Sequence, residues 1–75
     1  MRTFPLLIVD GPEGQVLAIE VKLSTSVDDR DAQHLLWLRD ILLDRVVDLL
    51  VVNIGSAAYR RTDGVGVVPL ALLGP

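Results

Sequence analysis

The sequence has no cysteine and a single histidine, His34, among its 75 residues. Neither a disulfide framework nor a zinc site built from histidine and cysteine can therefore support the fold. The absence of cysteine is compatible with the reducing cytoplasm, and this is the compartment that we expect. There is also only one lysine, Lys22, and it does not end a glycine-rich loop, so a P-loop and nucleotide hydrolysis by that route are excluded.

Long hydrophobic runs and positive charge are lacking as well. The longest apolar stretch, residues 46–54, is interrupted by Asp48 and Asn53 and is far short of the roughly 18 residues of a membrane span. The first residues have one charge and then a short apolar run that ends at Asp10, with no small-residue cleavage site after it, so they form a poor signal peptide. The net charge of -3 provides no general attraction for nucleic acid, which stays possible only through a local contact such as Arg60-Arg61.

The apolar content is high for so short a chain. Hydrophobic residues make up 51 % of the sequence, and the mean hydropathy is +0.48. Residues 1–75 can form one domain at most, and a domain of this size buries only about 60 to 65 % of the surface of its unfolded chain. Because disulfides and a structural metal are absent, we expect a homo-oligomer or a complex with a partner protein to supply the remaining stability.

Two strands are expected at the start of the chain. Residues 4–10 form a short apolar run that ends in the turn-forming sequence GPEG at residues 11–14. From Gln15 the chain alternates, and the more apolar set, Leu17, Ile19 and Val21, is predicted to face the core. Glu20 and Lys22 then share the opposite face.

A helix is predicted next. Ser26 and Asp29 resemble a capping box, so the helix should begin near Val27 and end near Leu43 or Asp44. Its first turn is acidic, as suits the positive end of a helix dipole. Its apolar residues recur at spacings of three and four and should form the core-facing side: Ala32, Leu35, Leu36, Leu38, Leu42 and Leu43.

The second half of the chain is expected to form further strands. Residues 46–54 are nearly all apolar and rich in valine, which is typical of a strand covered on both faces and parallel to the strand before the helix. Residues 57–61, a turn at residues 62–64 and residues 65–70 predict a hairpin, with Pro69 at an edge or beyond the sheet. The fold class is therefore α/β, with a small mixed sheet, one main helix and the order ββαββ.

The segment GQVLAIEVKLS at residues 14–24 resembles a strand of a nuclease-like domain. That domain forms the C-terminal part of a group of bacterial and archaeal AAA-type ATP-binding proteins, and it is similar to the restriction-endonuclease-like, PD-(D/E)XK fold. The resemblance continues through the leucine-rich helix and ends at VPLALL, residues 68–73. It implies a truncated restriction-endonuclease-like core without the ATPase domain.

This resemblance assigns roles to particular residues. In such nucleases an aspartate of the preceding strand and the acid of the E-x-K pair bind a divalent metal, while the lysine helps to position water or to stabilise the phosphate. Glu20 and Lys22 match the pair, but Leu6 stands where the aspartate is expected, and leucine cannot bind a metal. Asp10 is the nearest upstream carboxylate, but it lies four residues, or about 13 Å, along the strand from Leu6, too far to replace the aspartate without a shift of register. Gln33 and Trp37 have the spacing of the Gln-x-x-x-Tyr motif on a helix of related nucleases, with tryptophan in place of tyrosine.

Two functions are left open by these residues. The first is a non-catalytic interaction or oligomerisation module, in which Glu20 and Lys22 are a structural or residual pair and no cofactor is expected. The alternative is a weak nuclease for DNA or RNA, which would use Mg²⁺ or Mn²⁺ held by Glu20 and Asp10, with Lys22 as the second catalytic residue. The chain could also be a fragment of a longer gene product. The serines, His34 and Trp37 have simpler interpretations as turn, surface and packing residues.

Overall fold

A computed structural model of the chain describes residues 7–73, which form five strands and one α-helix. The elements in chain order are β1 Leu7–Asp10, β2 Val16–Val21, α1 Asp29–Leu42, β3 Val46–Asn53, β4 Tyr59–Arg60 and β5 Gly66–Pro69. Short 3-10 helical turns follow α1 and β5. Within this part of the chain, no helix has both the length and the apolar character needed to cross a membrane.

The five strands form one mixed sheet in the order β1-β2-β3-β5-β4. The three central strands are parallel, and the two outer strands are each antiparallel to their neighbour. This confirms the α/β fold class and the parallel pairing across the helix. The order is ββαβββ rather than ββαββ, because both arms of the last hairpin join the sheet. The predicted place of Pro69 at an edge or beyond the sheet was wrong, because Pro69 is the last residue of the interior strand β5 and lies opposite Asn53 of β3. On its other side pairing with β4 stops at Val67, so its missing N–H removes no bond to β4.

The first hairpin is closed by a glycine turn. The Gly11 N–H donates to the Gln15 carbonyl at 2.8 Å, and Gly14 has a φ of 82°, which favours glycine over residues with a side chain. In the resulting register Asp10 lies opposite Val16 and Leu7 lies opposite Ile19. The predicted strand, turn, strand arrangement is confirmed for the described residues.

The helix packs on the opposite face of β2 from the one predicted. Ala18 is fully buried, as is Ala32 of α1, and both belong to the core cluster, whereas Ile19 on the other face is only partly buried. Two alanines at this contact let the helix approach the sheet closely, which larger side chains would prevent. The remaining members of the core are leucines and valines: Leu35, Leu38, Leu49, Val51 and Val65.

The helix begins two residues later than predicted. Asp28 is the N-cap and forms a capping box with Asp31, so α1 starts at Asp29 rather than near Val27. Ser26 does not cap it, because Ser26 lies two residues before the N-cap. The Ser26 N–H instead donates to the Ser24 hydroxyl in the preceding loop at 3.3 Å. At the other end, Leu43 takes a φ of 51° and is 69 % exposed, so its predicted place on the core-facing side was wrong.

The face of the sheet opposite α1 is apolar along β1 and β2 but carries the Asp48–Arg60 ion pair at β3 and β4, and no helix in the described part of the chain covers it. We call this surface the open face. Leu7 and Val9 on it are 57 % and 47 % exposed. By strand register and alternation, the open face also contains four partly exposed residues from the two neighbouring strands: Leu17, Ile19, Val21 and Leu50.

Candidate functional site

Glu20 and Lys22 lie near the carboxyl end of β2, on the face covered by α1. They are 4 % and 6 % exposed, so both ionisable groups are buried. The alternation of the strand brings them onto one face, as predicted, but that face is the core face rather than the outer one. The first turns of α1 pass over them, and the partners of both groups come from this helix.

Lys22 is paired with Asp31 of the helix. The Lys22 ammonium donates to Asp31 Oδ2, and both side chains are 8 % exposed. Asp31 Oδ2 also accepts from the Asp28 backbone N–H at 2.8 Å, as part of the capping box. Burial by itself would raise the pKa of Asp31, but the hydrogen bonds from Lys22 and from Asp28 outweigh it and lower that pKa. The ion pair therefore joins the end of β2 to the start of α1.

Glu20 has a weaker partner. Its Oε1 lies 3.5 Å from Nδ1 of His34, and the His34 side chain is 73 % exposed, which agrees with the prediction of a surface histidine. Burial raises the pKa of Glu20, the nearby His34 opposes that effect, and the charge of Asp31 adds to it. Glu20 is therefore a buried carboxylate whose ionised form is poorly compensated.

Asn53 completes a group of buried polar residues around this end of the sheet. It is 3 % exposed, and no described group bonds to its side-chain oxygen. The Lys22 N–H donates to the Val52 carbonyl at 2.8 Å, which aligns the ends of β2 and β3. Neither Asn53 nor Asp31 was predicted from the sequence as part of the site. Lys22 and Asp31 are nine residues apart, and no local pattern predicts their contact, because that contact depends on how the helix crosses the sheet.

Asp10 is not brought to Glu20. The register places Asp10 opposite Val16, and Glu20 lies four residues farther along β2, about 13 Å away. Leu6, which occupies the position of the expected aspartate in the sequence, lies outside the described residues. Among residues 7–73, no group of three or more histidine, aspartate or glutamate side chains is arranged to hold a metal ion.

Gln33 and Trp37 lie on the outer side of the helix. Trp37 is 63 % exposed, and both residues border an open groove of about 590 Å³ together with Asp29, Arg30, Leu36 and Asp40. The Gln-x-x-x-Trp pair is therefore separated from Glu20 and Lys22, which lie beneath the helix.

Arg60 and Arg61 are used in ion pairs. Arg60 of β4 lies opposite Gly66 of β5, and its side chain reaches over this glycine to donate to Asp48 of β3. This hydrogen bond lowers the pKa of Asp48. The side chain of Arg61 is 13 % exposed; it binds Asp29 of the helix and donates to Asp63 Oδ2 at 3.1 Å. The two arginines fix the last hairpin to β3 and to α1; the Arg60 side chain remains 55 % exposed.

The donor set around Glu20 does not fit a divalent ion. Mg²⁺ and Mn²⁺ prefer several oxygen ligands, usually with more than one carboxylate. Among residues 7–73, the only other carboxylate that contacts this pair is Asp31, which is bound to Lys22 and to the helix backbone. The geometry instead suits a structural role, in which buried charges fix the helix to the sheet.

A family model described as "Domain of unknown function (DUF4143)" matches residues 6–73 of the chain. No curated protein and no solved structure matches the chain.

Proposed function

The chain belongs to the DUF4143 family, and we propose that it is a non-catalytic interaction domain that covers its open face by association with another protein chain. We place it in the cytoplasm and regard it as a truncated restriction-endonuclease-like core, related to the C-terminal domain of AAA-type ATP-binding proteins. The family description assigns no function, so the proposal rests on the residues themselves.

The observation that carries the proposal is the open face. Parallel strands are normally covered on both faces, and the central strands β2, β3 and β5 are parallel. Here α1 covers one face, while Leu7 and Val9 on the other are about half exposed. No element of residues 7–73 covers this surface, and a domain of this size has little stability to offset the cost of exposed apolar area. Association is the means by which a chain without disulfides can bury it.

The buried pair of Glu20 and Lys22 supports the non-catalytic part. A catalytic lysine needs access to substrate, but Lys22 is 6 % exposed and its ammonium is bound to Asp31. Removing Asp31 from this pair would also disturb the start of α1. The pair is therefore explained by its contribution to the fold.

The test measures the molecular mass of the chain between about 1 and 100 µM by sedimentation velocity and light scattering. We expect an oligomer whose mass falls in Val47→Glu. Val47 is 67 % exposed and borders a cleft of about 350 Å³ with Val9 and Leu17 of the open face. The matched control is Ile41→Glu, which adds the same charge to the outer side of α1, where Ile41 is 53 % exposed. A folded monomer at every concentration would contradict the proposal.

The alternative nuclease function is tested separately. It requires cleavage of DNA or RNA that depends on Mg²⁺ or Mn²⁺ and disappears in Glu20→Gln. Because Glu20→Gln keeps the size of the buried side chain, loss of cleavage could not be attributed to unfolding if the circular dichroism spectrum is unchanged. Absence of cleavage with either metal would leave the interaction domain as the sole proposal.

A further inference from the structure

At alternate residues of β1, the backbone N–H and C=O groups point away from β2, toward the outer edge of the sheet. The Gly11 N–H donates to the Gln15 carbonyl, so these two residues form a hydrogen-bonded pair at the start of the β1–β2 ladder. In an antiparallel ladder such pairs alternate, so Val9 is bonded to Leu17, while the backbone groups of Ile8 point away from β2. The other side of β2 agrees, because the Lys22 N–H donates to β3 and not to β1.

The two edges of the sheet differ in how they are protected. β4 has only two residues, and one of them, Arg60, carries a charge held by Asp48. Short length and charge both discourage pairing with another strand. β1 has four residues, all exposed, with neither lysine nor proline in the strand and a regular register with β2. Within residues 7–73 no strand pairs with its outer side.

We propose that β1 pairs with β1 of a second copy of this chain, antiparallel and about a two-fold axis near Ile8. The inference rests on the proposed function, because it presumes that the domain associates, but it names the partner and adds an interface distinct from the open face. Antiparallel pairing of identical strands is self-complementary, since the same residues supply donors and acceptors on both sides.

The side chains of β1 suit this arrangement. With Ile8 near the axis, Leu7 of one copy lies across from Val9 of the other, and both residues are on the open face. The single charge of the strand, Asp10, is kept away from its symmetry mate. The helix does not protect the strand, since Ile8, on the same side of the sheet as α1, is 45 % exposed. Pairing would bury apolar groups on both sides of β1 together with the free backbone groups.

Ile8→Pro tests the pairing directly. Proline removes the N–H that points outward and leaves the bonds between β1 and β2 in place, as edge strands tolerate. The control is Ile8→Thr, which keeps the N–H and the branched shape. The background is Val47→Glu, which removes association through the open face and should leave a dimer held by β1. We expect Val47→Glu with Ile8→Thr to remain a dimer, and Val47→Glu with Ile8→Pro to be a monomer with unchanged circular dichroism.

Hydrogen exchange gives an independent readout if the proline variant is unfolded. The Ile8 amide is free in the monomer, so its protection should rise at least tenfold between 1 and 100 µM, while that of Val9 changes less. A monomeric Val47→Glu variant would overturn the pairing and leave the proposed function intact. An oligomeric mass unaffected by Ile8→Pro, or an Ile8 amide that exchanges freely at 100 µM, would also overturn it.

Discussion

At the scale of single residues, the molecule depends most on how it accommodates the buried charges of Glu20 and Lys22. Lys22 has a full counter-charge in Asp31, whereas Glu20 has only an exposed histidine at 3.5 Å. Breaking a buried pair by removing one partner costs far more than the pair itself contributes, because the remaining charge is left unpaired. The two residues of the E-x-K sequence should therefore respond to neutralisation in opposite directions.

Lys22→Met should destabilise the domain by about 3 kcal/mol, because it leaves Asp31 buried without its cation. Urea unfolding followed by circular dichroism measures this. Adding Asp31→Asn should recover part of the loss, since asparagine is neutral and can still accept from the Asp28 N–H. A Lys22→Met variant as stable as the original would show that the lysine is not part of the structural framework.

Glu20→Gln should change the pH dependence of stability. Because the pKa of Glu20 is raised in the folded state, its contribution is complete below the unfolded pKa of about 4.5 and is lost as pH rises through the folded pKa. The lowered pKa of Asp31 acts oppositely: its contribution is lost as pH falls through its folded pKa, below about 4. Urea unfolding from pH 3 to 8 should show a decline above pH 4.5 that is absent from Glu20→Gln. Equal slopes in both proteins would contradict this assignment.

At the scale of elements, the sequence predicted the order of strands and helix well but assigned the faces of β2 wrongly. Periodicity distinguishes strand from helix locally, and β3 was recognisable from its continuous valine and leucine content. Both faces of β2 are largely apolar, however, so hydrophobicity could not choose between Ala18 and Ile19. That choice depends on the close approach of α1 and on Asp31 meeting Lys22, which are contacts between distant parts of the chain.

The start of α1 gives a prediction at this scale. Asp28→Ala should lower the free energy of unfolding by about 1 kcal/mol, because the Asp28 carboxylate accepts from the Asp31 N–H at 3.2 Å. Ser26→Ala should change it by less than about 0.5 kcal/mol, since Ser26 lies before the cap. The two variants separate the observed cap from the one that the sequence suggested, and an equal loss in both would contradict the structure at this end of the helix.

At the scale of the whole molecule, the candidate site shows where sequence reasoning stops. The spacing of Glu20 and Lys22 identified them, and the sequence also showed Leu6 at the position where the preceding strand was expected to supply a second carboxylate. Their burial beneath α1 was not visible, because it follows from the face that the helix selects. The same choice of face leaves Leu17 and Ile19 on the open face, so the burial of the pair and the exposure of this apolar surface have one origin.

This common origin predicts that stability depends on protein concentration. If folding and association are coupled, tenfold dilution removes about 1.4 kcal/mol per dimer. For a dimer of 75-residue chains, this lowers the melting temperature by about 4 °C. Differential scanning fluorimetry from 1 to 100 µM should therefore show a rise of about 8 °C in Val47→Glu, which keeps only the β1 dimer, and a larger rise in the original chain, which uses both interfaces. The rise should be absent when Ile8→Pro is added to Val47→Glu, because those changes together remove the two interfaces. A melting temperature independent of concentration would mean that the folded chain is stable alone, with its open face in water.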